Sequence, residues 1–200
     1  MRSGFLERLL FLRAFVTHPR QVGAVLPTSR RAVRDMLDMA DLGSADLVVE
    51  LGAGTGVYTR EILARVSQDA RFVAFERDPR LAQLLTERWN DARLEVRCDS
   101  AENLLAYLKG RKADVIVSGL PFTSLESGVR RRILAELVQA LAPDGVALVL
   151  QYSPFVQSEL RRLFPWVKRR VSLLNVPPAV LFACSLSEPP FASAEAGRRP

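Results

Sequence analysis

At 200 residues, with 48% hydrophobic and 25% charged side chains, the chain has the composition of one globular domain with a substantial core. No apolar run reaches the roughly eighteen residues a membrane span needs. Glu7, Arg8 and Arg13 break the apolar N-terminus in a way that argues against a cleaved signal peptide, and Cys98 and Cys184 are too few and too far apart for a disulfide framework or a zinc cluster.

Both cysteines are therefore expected as buried free thiols. The net charge of +6 favours anionic partners and is unevenly spread. Residues 1–34 hold seven arginines (Arg2, Arg8, Arg13, Arg20, Arg30, Arg31, Arg34) against Glu7 alone, and Arg161, Arg162, Lys168, Arg169 and Arg170 form a second cluster.

Residues 4–16 have helical periodicity, with Phe5, Leu9, Leu12 and Val16 on one face, Phe11 and Phe15 on a second, and Leu6 with Leu10 on a third. A short helix apolar on so many sides must be buried, paired or laid in a lipid interface. A connector punctuated by proline and glycine follows, from His18 to Ser29. His18 is the sole histidine, without a second for a zinc site or a triad, and reads as an incidental surface residue. Ser29 or Thr28 is expected to cap a helix over 30–40 whose inner face is Ala32, Val33, Met36, Leu37 and Met39.

From there strands and helices alternate. Strands are predicted at 46–51, 71–76, 94–98, 113–117 and 146–152, with helices at 56–66, from Pro79 to Arg88, at 101–109, and from Ser127 or Ser124 to a stop at Pro143-Asp144-Gly145. A short helix over 155–163 precedes two runs, Trp166–Leu174 and Ala179–Leu186, that read as a terminal antiparallel hairpin. The prediction is an α/β fold, a doubly wound and mainly parallel sheet of seven strands with ligands at the strands' carboxyl ends. Residues 1–44 are read as a helical extension, with a membrane-interacting helix at about 3–16, residues 45–186 as the main domain, and 187–200 as a flexible tail.

Chemistry concentrates at those carboxyl ends. The first strand breaks into Glu50-Leu51-Gly52-Ala53-Gly54-Thr55-Gly56, and the second closes on Glu76. Glycines there give a sharp strand-to-helix turn its backbone angles and leave room for a ligand on the loop, although a tight turn without a ligand would need them too. A carboxylate ending the second strand is placed to accept two ribose hydroxyls. The Gly-x-Gly-x-Gly spacing departs from the Gly-x-Gly-x-x-Gly dinucleotide fingerprint.

With that loop, the chain resembles the class I S-adenosylmethionine-dependent methyltransferases over residues 45–186. The resemblance implies S-adenosylmethionine as cofactor, with Gly52, Gly54 and Gly56 under its methionine part and Glu50 near its ammonium. By the same resemblance Glu76 holds the ribose, Asp99 and Ser100 lie beside the adenine, and Arg77, Ala101 and Ser118 complete the cofactor shell. No metal is implied.

The fourth strand ends in Ser118-Gly119-Leu120-Pro121-Phe122. Ribosomal RNA adenine dimethylases carry Asn-Leu-Pro-Tyr/Phe at this place; here Ser-Gly replaces the leading amide, which disfavours a nucleobase. Backbone carbonyls of Gly119 and Leu120 remain as acceptors for an amine, and Phe122 and Tyr152 as aromatic contacts for a methylated cation. Together with Gly23-Ala24-Val25-Leu26-Pro27-Thr28-Ser29, the apolar basic N-terminus and Asn175-Val176-Pro177-Pro178-Ala179, the whole chain resembles the small bacterial phospholipid N-methyltransferases.

That resemblance implies methylation of the phosphatidylethanolamine headgroup amine, stepwise towards phosphatidylcholine, by an enzyme peripheral to the inner face of the cytoplasmic membrane, bound to anionic phospholipid through its N-terminal helix and monomeric in solution. Catalysis is expected from alignment and desolvation, with Ser118, Gly119, Leu120 and Tyr152 at the reacting centre and the proton leaving through Tyr152, Ser118 or water. Lys168 and Arg169 are candidates for the lipid phosphate, or a solvated basic strand face. The rival readings are an RNA adenine N6-methyltransferase and a non-catalytic S-adenosylmethionine-binding protein of the membrane surface.

Overall fold

The computed structural model describes residues 28–173 and 178–187. The helix expected at 3–16, the connector with His18, Asn175-Val176-Pro177 of the hairpin turn and the tail from 188 lie outside these residues. Among the described residues no helix is long and apolar enough to cross a membrane.

Seven strands form one sheet in the order β3-β2-β1-β4-β5-β7-β6. They are β1 (Leu47–Leu51), β2 (Arg71–Glu76), β3 (Leu94–Cys98), β4 (Ala113–Ser118), β5 (Leu141–Gln151), β6 (Trp166–Ser172) and β7 (Ala179–Ser185). The helices are α1 (Arg30–Leu37), α2 (Val57–Leu63), α3 (Pro79–Arg88), α4 (Leu104–Leu108), α5 (Ser127–Ala140) and α6 (Gln157–Leu163). Strands β1 to β5 pair in parallel, and β7 runs against both β5 and β6. The expected hairpin therefore forms, but β7 is the strand that opposes the rest, while β6 points the same way as β1.

Alternation along the strands divides the core in two. Val48, Phe72, Ala74, Val115, Val117 and Leu148 pack under α1, α2 and α3, whereas Leu47, Val49, Leu51, Val73, Ile116 and Ala147 pack under α4, α5 and α6. Glu50 shares its face with Val48, so its side chain points towards α2. Ser29 caps α1 by accepting from the Ala32 N–H at 3.2 Å, and Asp78 caps α3 ahead of Pro79 at its first turn. Met36, Leu37 and the rest of the expected inner face of α1 are buried, although the helix stops at Leu37.

Two expectations change. Helix α5 ends at Ala140, before the predicted Pro143-Asp144-Gly145 stop, and Leu141 already pairs with Ala113. The next pairing is Val115 with Val146, so residues 142–145 bulge from β5. A Cβ on Gly145 would stand 2.9 Å from the Ala113 and Asp114 carbonyl oxygens, a backbone approach only glycine allows. Of the two thiols expected as buried, Cys184 is, and burial pushes it up to about 12. Cys98 is exposed because β3 is an edge strand with solvent on its outer side.

Candidate cofactor and acceptor site

The strand order reverses between β1 and β4, where a doubly wound sheet opens its ligand crevice. Three strand ends are laced together there. Gly52 and Ala53 N–H both donate to the Phe75 carbonyl at 2.9 and 3.0 Å, and the Gly119 N–H donates to the Leu51 carbonyl at 3.2 Å. Glu76 accepts from the Gly54 N–H on one carboxylate oxygen and from the Asp78 N–H on the other, each at 2.8 Å. Both bonds are charge-assisted, so Glu76 fixes the loop while its remaining lone pairs face the cleft.

The cleft holds about 500 Å³, within the range of small-molecule sites. Gly52, Ala53 and Gly54 form its floor, with Glu76, Arg77 and Asp99 at one side. Ala101 and Phe75 face Leu125, Val129 and Ile133 of the α5 region across an apolar slot. Gly119, Leu120 and Pro121 close the β4 end, with Tyr58 and Thr28 beside them. Gly54 has φ +57° and no atom within 4 Å of where its Cβ would stand, so the chain keeps open space above this residue.

Gly56 serves packing instead. It has φ +83°, and a Cβ there would stand 2.1 Å from the Trp89 ring at the end of α3. Gly56→Ala is expected to destabilise the protein by about 3 kcal/mol, from left-handed strain plus overpacking. Urea unfolding checks this, and in Trp89→Ala the same substitution should cost less, the left-handed strain and the Leu85 contact at 2.9 Å remaining.

Glu50 lies fully buried behind the floor. Its Oε2 accepts from the Thr59 hydroxyl at 2.7 Å, and Oε1 has no hydrogen-bond partner among the described residues. Burial pushes the carboxyl up to about 8, against the smaller opposing effect of the Thr59 bonds. A buried carboxyl behind a glycine floor with an oxygen unanswered suits a cationic group arriving from the cleft side, whose charge would favour release of the carboxyl proton. Open space over Gly54, a diol acceptor at Glu76 and an apolar slot suit a nucleoside bearing a charged tail.

A methyltransferase-domain family model matches residues 48–145. The ornithine lipid N-methyltransferase of Singulisphaera acidiphila is 36% identical over 180 residues, which span 88% of this chain and 94% of that protein. The chain belongs to the class I S-adenosylmethionine-dependent methyltransferases. S-adenosylmethionine is its cofactor. The ribosomal RNA small subunit methyltransferase A of Synechococcus sp. is 29% identical over 133 residues, 66% of this methyltransferase but only 46% of that protein. Among solved structures, the precorrin-6y C5,15-methyltransferase of Geobacter metallireducens superposes with a TM-score of 0.65 at 13% identity, covering 82% of this chain and 92% of that one. At that identity it speaks for the fold.

Within the methyltransferase, Gly52, Gly54, Glu76, Arg77, Asp99, Ser100, Ala101, Gly119 and Leu120 line one cleft. Glu50 and Ser118 sit behind it, both fully buried. Tyr152 meets it through Thr28, whose hydroxyl lies 3.0 Å from the Tyr152 hydroxyl. Phe122, expected to face the substrate, does not reach the cleft. Its N–H turns back to the Leu120 carbonyl at 2.9 Å, and its ring is fully buried in the core under α5.

Lys168 and Arg169 are also remote, because β7 separates their strand from β5; Arg169 binds Gln157 on α6 at 3.2 Å. Two residues with no assigned role in the sequence stand at the β4 end. Gln151 donates to the Leu120 carbonyl at 2.8 Å and to the Leu150 carbonyl at 2.7 Å, holding the acceptor loop against β5. Tyr58 lies buried at the start of α2, where its only sequence signal is a phenol among the inward positions of a mixed polar and apolar helix.

Proposed function

We propose that this methyltransferase methylates the primary amine of a membrane-lipid headgroup, with phosphatidylethanolamine as the acceptor, stepwise towards phosphatidylcholine. The observation that carries the reading is the near full-length match to a lipid N-methyltransferase, set against a ribosomal RNA relative that matches over under half its length. Glycine at position 119, where a base-pairing amide would stand, supports an alkyl amine over a planar nucleobase.

When bound, S-adenosylmethionine supplies an electrophilic methyl group on a sulfonium. In this proposal Gly52 and Gly54 underlie its methionine part, Glu50 offsets its ammonium, Glu76 receives the ribose hydroxyls, and Asp99, Ser100 and Ala101 flank the adenine beside Arg77. The Gly119 and Leu120 carbonyls orient the acceptor amine, the Leu120 oxygen keeping one lone pair beyond its Gln151 bond. The amine must be neutral at the moment of transfer, so the chain's contribution is alignment in a dry site, with the proton passing through Tyr152 and Thr28 to solvent water.

Docking at the inner face of the cytoplasmic membrane belongs to the same proposal, with the protein acting as a monomer. Phe155 is 80% exposed just beyond β5, and Leu173 is 75% exposed just beyond β6. Gln151 pairs with Val180 and Ser172 with Ala179, so both side chains project at the cleft end of the sheet. Exposed Arg30 and Arg31 open α1 next to Thr28, giving that rim the mixed apolar and basic character that anionic bilayers attract. The apolar helix expected at 3–16 would add to this contact.

Radiolabelled cofactor offered with vesicles of phosphatidylethanolamine, vesicles of ornithine lipid, or ribosomal RNA tests the reading. Label in phosphatidylethanolamine is expected, label in ornithine lipid alone moves the acceptor to that lipid, and label in RNA alone overturns lipid methylation. Phe155→Glu with Leu173→Glu is expected to weaken sedimentation with anionic vesicles by about tenfold or more and to leave S-adenosylmethionine affinity within twofold. Equal sedimentation would remove this rim from the docking surface.

A further inference from the structure

The β4 loop departs from the amide-containing pattern at Gly119, and a side chain at this position would crowd a neighbour. A Cβ there would stand 3.0 Å from Cε2 and 3.5 Å from Cζ of Tyr58. Tyr58 lines the cleft from the first turn of α2 and is otherwise buried. On its far side stand Thr28 and Tyr152, whose hydroxyls lie 3.0 Å apart. Tyr152 packs against the same core cluster and is close enough to act electrostatically on the Tyr58 phenol. Burial holds that phenol well above its ordinary value, so it stays neutral. The cleft thus ends in hydroxyls and an aromatic ring, with no cation among the described lining residues at this end.

We propose that Tyr58 is the specificity-determining residue for the acceptor: its ring fills the volume an amide at position 119 would need, abolishing a planar-base slot, and forms the wall against which an alkylamine and its N-methylated forms are held. The inference rests on the lipid-amine reading for the identity of the acceptor and adds the residue that selects it. The aromatic contact anticipated at Phe122 is supplied from α2 instead. A neutral ring suits this role because its attraction for a cation survives each added methyl group, whereas a hydrogen-bond acceptor loses one donor at every step.

The test separates the wall from the activity. Full-length protein carrying Tyr58→Phe or Tyr58→Leu is assayed on vesicles containing phosphatidylethanolamine or its N,N-dimethyl form, with cofactor affinity measured in parallel. Tyr58→Leu is expected to raise KM about tenfold, more for the dimethyl acceptor than for the unmethylated one, with cofactor Kd within about threefold. Tyr58→Phe, which keeps the ring, is expected to restore most of the acceptor affinity. A Tyr58→Leu enzyme with unaltered KM for both acceptors would overturn the proposal.

A second measurement needs neither turnover nor the leucine variant. Tetramethylammonium chloride titrated into ¹³C-tyrosine-labelled protein saturated with S-adenosylhomocysteine is expected to shift the Tyr58 ring signals, assigned by their loss in Tyr58→Phe. Tyr58 signals that stay fixed while Tyr107 and Tyr152 do the same overturn the cation wall even if lipid is methylated. Shifted Tyr58 signals in a protein that methylates none of the lipids would uphold the wall and sink the lipid reading alone.

Discussion

Glu76→Ala is expected to weaken S-adenosylmethionine binding by at least 100-fold. The carboxylate has two structural bonds, to the Gly54 and Asp78 N–H groups at 2.8 Å each, and hydrogen bonds to charged groups contribute about 1.5–3 kcal/mol apiece. Losing the Gly54 bond frees the floor of the cleft, and losing the oxygens removes the proposed ribose contacts. Together these reach about 2.7 kcal/mol, a hundredfold in Kd, before any loop disorder is counted. Glu76→Gln keeps one acceptor but turns an amide N–H towards a backbone N–H, and should lie between, near tenfold. Calorimetric titration with S-adenosylmethionine checks both, with circular dichroism to establish folding. A threefold effect or less for the alanine variant would show that neither the loop tie nor the ribose depends on this side chain.

The second large effect is a pH dependence carried by Glu50. Its folded value, about 8, lies above the ordinary 4.5 because burial disfavours the anion. A raised value means that the native state holds a proton the unfolded chain has released. Glu50's contribution to stability is therefore fully present below pH 4.5 and is lost as pH rises through 8, at about 1.4 kcal/mol per pH unit where the slope is steepest. For a domain of this size that is roughly 3 °C per pH unit.

Glu50→Gln mimics the protonated side chain and can still accept from Thr59. Its melting temperature should match wild type near pH 5 and exceed it increasingly up to pH 8.5. Saturating S-adenosylmethionine should flatten the wild-type profile if the ammonium lies against Glu50 as proposed, because a cation there favours the anion. Parallel melting curves for the two proteins from pH 5 to 8.5 would contradict the linkage.

Much of the scaffold is legible from local pattern. Strands β2 and β3 match their predicted bounds because Arg71–Glu76 and Leu94–Cys98 end in abrupt polar and turn residues, and Asp78-Pro79 marks the start of α3 with a side-chain cap. Glu76 was legible for the same reason: its position at a strand end is a local fact. What escaped depends on partners distant in the chain. Nothing near Gly56 announces Trp89, and nothing near Gly119 announces Tyr58, sixty-one positions earlier. The inward turn of Phe122 is set by where α5 lies, and Gln151 has a role only because β5 sits beside the β4 loop. The start of β5 was missed because Leu141 looks helical until Ala113 is beside it.

The placement of β7 has a consequence for biosynthesis. This strand, the last of the seven to leave the ribosome, pairs with β5 on one side and β6 on the other. Until residue 185 has emerged, the sheet is two pieces, with the edges of β5 and β6 both bare of partners. Bare edges are templates for pairing with other chains. A nascent chain is therefore at its most adhesive just before completion, and a nonsense mutation between residues 173 and 179 leaves a product with that double edge, whatever its cofactor loop retains.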